Sequence, residues 1–400
     1  MIQRATRDFL RLSCALALMI VPALGHCEPA SDAVGTLVQR LDIETYKATI
    51  KALTRFGDRR QGTERNRAAV DWIEAQLKSY GCINTERVQY QFGEENFHRV
   101  APAAPNDNTP HFNVGGARAR GNSRPTGVNM DPNAQPDATI RALDTPPAVP
   151  GLREEVYCTK IGATHPNEMY LVTAHMDGIG FGEAANDDGS GTALVMEVAR
   201  ILSSPDVKTD RSVRFILWNN EETGLNGASA YVAQRRALQG KEMPQGSGQY
   251  PEPTWLGMIQ HDMVLFDHGM PRADGSLAPE QRPEADINIE FQVNSKFAAQ
   301  SQALAWALED ANQHYASDYP AVIGSHMTNT DSHEFQDDVA SVSVRENERG
   351  AQIGNGWDPQ WHQPTDLYAT YTDKDFRLGL NATQTTLSAV ARLSGAALKN

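Results

Sequence analysis

Residues Tyr170–Leu202, YLVTAHMDGIGFGEAANDDGSGTALVMEVARIL, limit what this chain can fold into more than any other stretch. The apolar run Met169–Ala174 has strand character and ends in His-x-Asp. A glycine-broken loop with Asn-Asp-Asp follows, then a helical pattern from about Ser190 to Ser203, with Leu194, Val198, Ile201 and Leu202 on one side. Strand, functional loop, helix is the unit of an α/β protein, whose polar side chains gather at the carboxyl ends of the strands.

The rest of the chain repeats this alternation. Helices are expected over Gly35–Phe56 and Thr63–Tyr80, with Thr63 placed to cap the second, and Arg87–Phe92 alternates like a half-buried strand. Strands at Val156–Ile161, Ser212–Trp218, Leu256–Val264 and Val339–Val344 are interleaved with helices at Gly224–Leu238, Ser295–Tyr315 and Asp373–Leu398. That order predicts an α/β fold with a mostly parallel central sheet covered by helices on both faces. Two intervals break it. Residues 101–151 are rich in Pro, Gly, Asn and Asp and read as a surface insertion, either a rim over the substrate cleft or a plain loop, and 240–254 read as a second loop. All of this fits one large catalytic domain over residues 26–400.

Residues 1–25 carry Arg4, Arg7 and Arg11 ahead of the apolar LSCALALMIVPALG, which predicts an export signal removed near Gly25. Its loss removes three Arg and one Asp, moving the net charge from −14 to −16. Such an acidic chain is a poor partner for nucleic acid or anionic lipid, and no later apolar run is long enough to span a membrane. Export to the periplasm or medium leaves Cys27, Cys82 and Cys158 in an oxidising compartment, with Cys82–Cys158 as the expected pair.

Five places bring His or carboxylates to strand ends. His175 closes a strand, and Asp177 follows it closely enough to fix the imidazole tautomer. Asp187 and Asp188 lie directly before a helix, where a cap accounts for one carboxylate but not both. Glu221 and Glu222 follow the apolar strand Val213–Leu217; adjacent side chains diverge, so one suits a metal and the other a proton. Asp262 ends another strand, and His362 has Asp366 four residues later as a candidate orienting acid. Two His and three carboxylates suit one or two divalent ions, and mixed nitrogen and oxygen donors are typical of zinc.

In their order, AHMD, ANDDGSG, NEETG, HDMV and WHQPTD resemble the motifs of the secreted co-catalytic di-zinc aminopeptidases, relatives of glutaminyl cyclases and transferrin-receptor ectodomains. The resemblance runs from about residue 40 to the C-terminus and implies a zinc-exopeptidase fold. It further implies two Zn²⁺ ions, one held by His175 and Asp262, the other by Glu222 and His362, with Asp187 bridging. Glu221 would be the general base and Asp177 would orient His175. The substrates implied are peptides with a free N-terminus. Ser332 stands where the family often has His, so His333 receives no role, and Gln363 replaces a frequent Thr. Glutaminyl cyclase, carboxypeptidase or dipeptidase chemistry and a non-catalytic binding ectodomain are the alternatives on the same fold. No His-Glu-x-x-His helix, Gly-x-Ser-x-Gly elbow or Walker loop competes, and Gly178–Gly182 lacks dinucleotide spacing and reads as a flexible loop.

Overall fold

A computed structural model describes residues 32–93, 128–266, 287–327, 329–346 and 358–399. The N-terminal segment read as an export signal lies outside them, as does residue 101–127 of the first insertion. Residues Ala33–Asn400 form one compact unit.

The chain opens with helices α1 (Ala33–Val38), α2 (Ile43–Thr54) and α3 (Glu64–Ser79). The single helix expected over Gly35–Phe56 is two, because Asp42 adopts an extended conformation and its side chain accepts the Thr45 amide, starting a new helix. Thr63 caps α3 as expected, accepting from the Asn66 amide. Strand β1 (Thr85–Phe92) precedes the first insertion, whose described part holds a short helix, α4 (Ala138–Asp144). Then come β2 (Gly151–Lys160), β3 (His165–His175), α5 (Gly189–Leu202), the two-residue β4 (Val207–Lys208), β5 (Arg211–Trp218), α6 (Asn226–Arg235) and β6 (Thr254–His261). The last part comprises β7 (Ile287–Glu290), α7 (Ala298–Tyr315), β8 (Ala321–Gly324), β9 (Ser341–Glu346), α8 (Asp373–Ser394) and β10 (Ala397–Leu398). Helix α8 stops at Ser394 rather than Leu398 because Gly395 takes a left-handed cap, which frees β10 to pair with β4.

Eight strands form one sheet in the order β1-β2-β5-β3-β6-β9-β7-β8. The central four, β5, β3, β6 and β9, run parallel. Strand β2 is antiparallel to both β1 and β5, and β7 is antiparallel to β9. The mostly parallel expectation therefore holds in the centre and again at the β7–β8 edge pair, with antiparallel pairing at β1–β2, β2–β5 and β9–β7. Strand β3 is where the chain turns from one half of the sheet to the other: α5 leads to β5 on one side, and α6 crosses back to β6 on the other. Binding crevices form at such switch points, outside the carboxyl ends of the strands.

Met169, Leu171, Val172 and Ala174 of β3 are fully buried, as its central position requires. Helix α5 is apolar nearly all round because it lies in the same core as β3, α2 and α8. Its N-terminus is fixed by Asp188, which accepts the Gly191 amide at 2.8 Å. A disulfide joins Cys82, just before β1, to Cys158 in β2, the expected pair. It closes a sequence separation of 76 residues. The double substitution Cys82→Ser, Cys158→Ser should lower unfolding free energy by about 2–5 kcal/mol, read as an earlier urea midpoint.

Candidate metal centre

The carboxyl ends of β3, β5 and β6 each deliver one part of the site. His175 is the last residue of β3, Glu221 and Glu222 lie just past β5, and Asp262 is the first residue beyond β6. His362 comes from the segment between β9 and α8, and Asp187 from the loop before α5. All the residues singled out from the sequence therefore reach one place.

Asp187 is its geometric centre. Its Oδ1 lies 3.2 Å from His175 Nε2, and its Oδ2 lies 3.0 Å from His362 Nε2. Around the first histidine, Asp262 Oδ1 is 3.8 Å from the same Nε2. Around the second, Glu222 Oε2 is 2.8 Å from His362 Nε2. His175, Asp187 and Glu222 offer donor atoms all within 4.8 Å of one another. Each oxygen of one carboxylate thus faces a different imidazole, and each imidazole is shared with a further carboxylate. These nitrogen and oxygen donors could hold a divalent cation, and the buried Glu222 Oε1, without a hydrogen-bond partner among the described residues, leaves a further oxygen for it.

Charge tells the same story. Burial and Asp187 push the Glu222 carboxyl up to about 7, although His362 opposes the rise. Burial works against a charged His362, yet Glu222 and Asp187 push it up to about 10. Burial pushes Glu221 well above the usual carboxylate range; His175 opposes this, and Asp331, Glu222 and Asp262 add to it. Asp187 is held well below its ordinary value, because its bonds to the two histidines outweigh burial. Without cations, protons and imidazolium rings must neutralise this many carboxylates, so a dication would relieve the cluster.

Surrounding residues fix the ligands by contacts that the sequence did not indicate. His175 Nδ1 lies 3.0 Å from the main-chain oxygen of Asp177, whereas the Asp177 carboxylate stays 3.9 Å away. The orienting contact is therefore the Asp177 carbonyl rather than its side chain. The carboxylate instead accepts the Glu221 amide at 3.1 Å and so sets the base of the Glu221 loop. Asp366 does not orient His362. Its two oxygens accept the amides of Ala185, Asn186 and Asp187, holding the loop of the central carboxylate. Arg345, at the end of β9, lies 3.2 Å from Asp262 Oδ2 and opposes that carboxylate's negative charge. Asp331, also buried, accepts from Gln260, and His333 is exposed.

Gly178–Gly182 is buried rather than flexible. A Cβ on Gly180, whose φ is +101°, would sit 2.4 Å from the carbonyl carbon and oxygen of His362, so the loop needs glycine to pack against the histidine's backbone. Its other boundary is set by Arg59, fully buried, whose guanidinium donates to the carbonyls of Met176 (2.7 Å), Glu183 (2.9 Å) and Ala184 (2.7 Å). Arg59→Met would strand those carbonyls and unbalance the nearby acids, for an expected loss of about 3–5 kcal/mol in a urea titration. In the sequence, Arg59 is one of two adjacent arginines in a turn, with no periodicity to mark it.

A model described as "Peptidase family M28" matches residues 156–383, more than half of the chain. Aminopeptidase YwaD of Bacillus subtilis (strain 168) is 50% identical over 68 residues, which is 17% of this chain and 14% of that protein. Carboxypeptidase Q of Mus musculus is 34% identical over 76 residues, or 19% of this chain and 16% of its own length. The matched segments thus span less than a fifth of either relative. Among solved structures, an aminopeptidase from Aneurinibacillus sp. strain AM-1 superimposes with TM-score 0.57 at 19% identity, covering 90% of this chain and 96% of that one. Porphyromonas gingivalis glutaminyl cyclase gives 0.54 at 14% identity, covering 88% and 98%. The two structures share this chain's fold.

Proposed function

The chain belongs to peptidase family M28, and from that premise we propose that it is an exported aminopeptidase that uses two zinc ions to remove N-terminal residues from peptides. The observation that carries the proposal is the split of Asp187, one oxygen towards His175 and the other towards His362. In this reading His175 and Asp262 would hold one ion, Glu222 and His362 the other, with Asp187 shared between them. Such ions would supply Lewis acidity, polarising a scissile carbonyl and making water a stronger nucleophile near neutral pH.

Glu221 takes a proton from the attacking water and returns it to the leaving amine. Burial raises its proton affinity, which favours holding the proton between the two transfers. Asp177 keeps the base in place through the Glu221 amide. The surplus of carboxylates draws the free α-ammonium of a substrate and disfavours a C-terminal carboxylate at the same position. The Cys82–Cys158 disulfide supports export, since such bonds persist in oxidising compartments.

Aminoacyl-nitroanilides assayed beside N-acetylated peptides, with and without chelator, test this reading. Chelator-sensitive hydrolysis confined to free N-termini is expected. Cleavage of blocked peptides alone would favour carboxypeptidase chemistry, for which the 34% identical segment of Carboxypeptidase Q is the supporting observation. Cyclisation of N-terminal glutamine without hydrolysis would replace the proposal with glutaminyl cyclase chemistry.

A further inference from the structure

The two histidines of the site are held in different ways. His175 is fixed through its ring, by Nδ1 against the Asp177 carbonyl. His362 Nδ1 is buried and meets no hydrogen-bond partner among the described residues, and the backbone of this residue is in the left-handed region at φ 57°. A β-carbon residue in that conformation needs its surroundings to over-determine it.

Those surroundings come from the first insertion. The Asn129 amide donates to the His362 carbonyl at 3.0 Å. Six residues on, the Gln135 Nε2 donates to the Pro364 carbonyl at 2.9 Å and to the Phe181 carbonyl at 2.7 Å. One amide group therefore ties the His362 segment to the glycine loop that follows His175. Its Oε1 accepts the Asp137 amide at 3.0 Å, so both ends of the side chain are engaged. Gln135 is fully buried, although every other residue of 131–140 is exposed or only partly covered. A solvent-facing segment with one polar side chain sunk into the protein is a strap with a pin. Its far end is anchored by Asp144, buried beside Arg65 and accepting the Asp58 amide at 3.1 Å.

We propose that Gln135 is a positioning residue for His362, and that the strap of residues 128–144 sets the affinity of the zinc ion held by His362 and Glu222 without touching that ion. This rests on the two-ion reading above. It assigns the insertion, which the sequence left open as a cleft rim or a plain loop, to metal-site support. The glycine loop closes the other side, since Gly180 admits the His362 backbone. Loss of the pin would leave two buried carbonyls unpaired and let His362 leave its strained conformation. His175 would keep its Asp177 contact.

Zinc binding measured by competition with a graded chelator, on metal-free protein that is reloaded, tests the proposal in four variants. His362→Ala and His175→Ala identify the two equivalents. Gln135→Leu removes the donor while filling the space, and Asn129→Pro removes the second contact by deleting an amide proton. Both strap variants should weaken the equivalent lost in His362→Ala by about 10- to 100-fold and change the other by less than about 3-fold, the size expected when a support behind a ligand is removed. Circular dichroism of the metal-free variants should match that of the unsubstituted protein, so a folding defect would be visible. Two equivalents with native affinity in both strap variants, or parallel weakening of both ions, would overturn the strap's role. A single equivalent in the unsubstituted protein would instead contradict the two-ion reading, and the proposal with it.

Discussion

Glu221→Gln should retain zinc with native affinity and lose turnover by about 10²–10⁴-fold in kcat, the usual share of a positioned general base. The amide keeps the side chain's size and its place above the Asp177 contact, which is made by the backbone and survives the substitution. What disappears is a group able to accept a proton. The measurement pairs kcat on an aminoacyl-nitroanilide with a zinc count on the same sample. KM should move little, because binding of the substrate amine depends on the carboxylates that remain. A variant with zinc bound and near-native kcat would remove Glu221 from the role.

Asp187→Ala should have the second largest effect, and on metal rather than chemistry. Each Asp187 oxygen faces a different histidine, so one substitution deletes a donor from both halves of the centre. Both equivalents should weaken, whereas His175→Ala should weaken chiefly one. The histidines add a second cost. In the absence of metal they neutralise Asp187; without it His362 is left facing Glu222, and His175 faces Asp262 and the more distant carboxylates of Asp177 and Asp188. Elemental analysis after dialysis should find less than one ion per chain in Asp187→Ala, and two retained ions would contradict the bridging role.

Most of the candidate donors were legible because they directly follow a strong local pattern; His362, in the irregular segment before α8, has no such pattern and was singled out with Asp366 four residues on. His175, Glu222 and Asp262 lie at or just beyond buried strands, whose apolar runs place them along one edge of the sheet. Asp187 was marked by two acids where a helix needs only one cap, and Asp188 indeed serves as that cap. Strands β7 and β8 were not legible. Each has four residues, too few for a period, and their pairing depends on neighbours distant in the sequence. The break at Asp42 was missed for a related reason, since the apolar pattern of α1 and α2 continues across a cap that only local geometry reveals.

The supports of the site left weaker traces still. Arg59 and Gln135 act on main-chain carbonyls of loops far away in the chain, and carbonyls carry no residue identity. The glycine loop makes the same point: composition does not distinguish glycine that gives mobility from glycine that permits close packing. The role of Asp177 changed in detail, with its carbonyl rather than its carboxylate meeting His175. Patterning thus yields the donors, whereas the contacts that hold them emerge only from the folded chain.

The proposed function stands on two zinc ions shared through Asp187. Anomalous diffraction at the zinc edge from zinc-loaded crystals reads their number and place. Two peaks about 3.5–4 Å apart are expected, one between His175 and Asp262 and the other between His362 and Glu222, with an Asp187 oxygen directed at each. One peak at full zinc loading, or two that do not share Asp187, would contradict it.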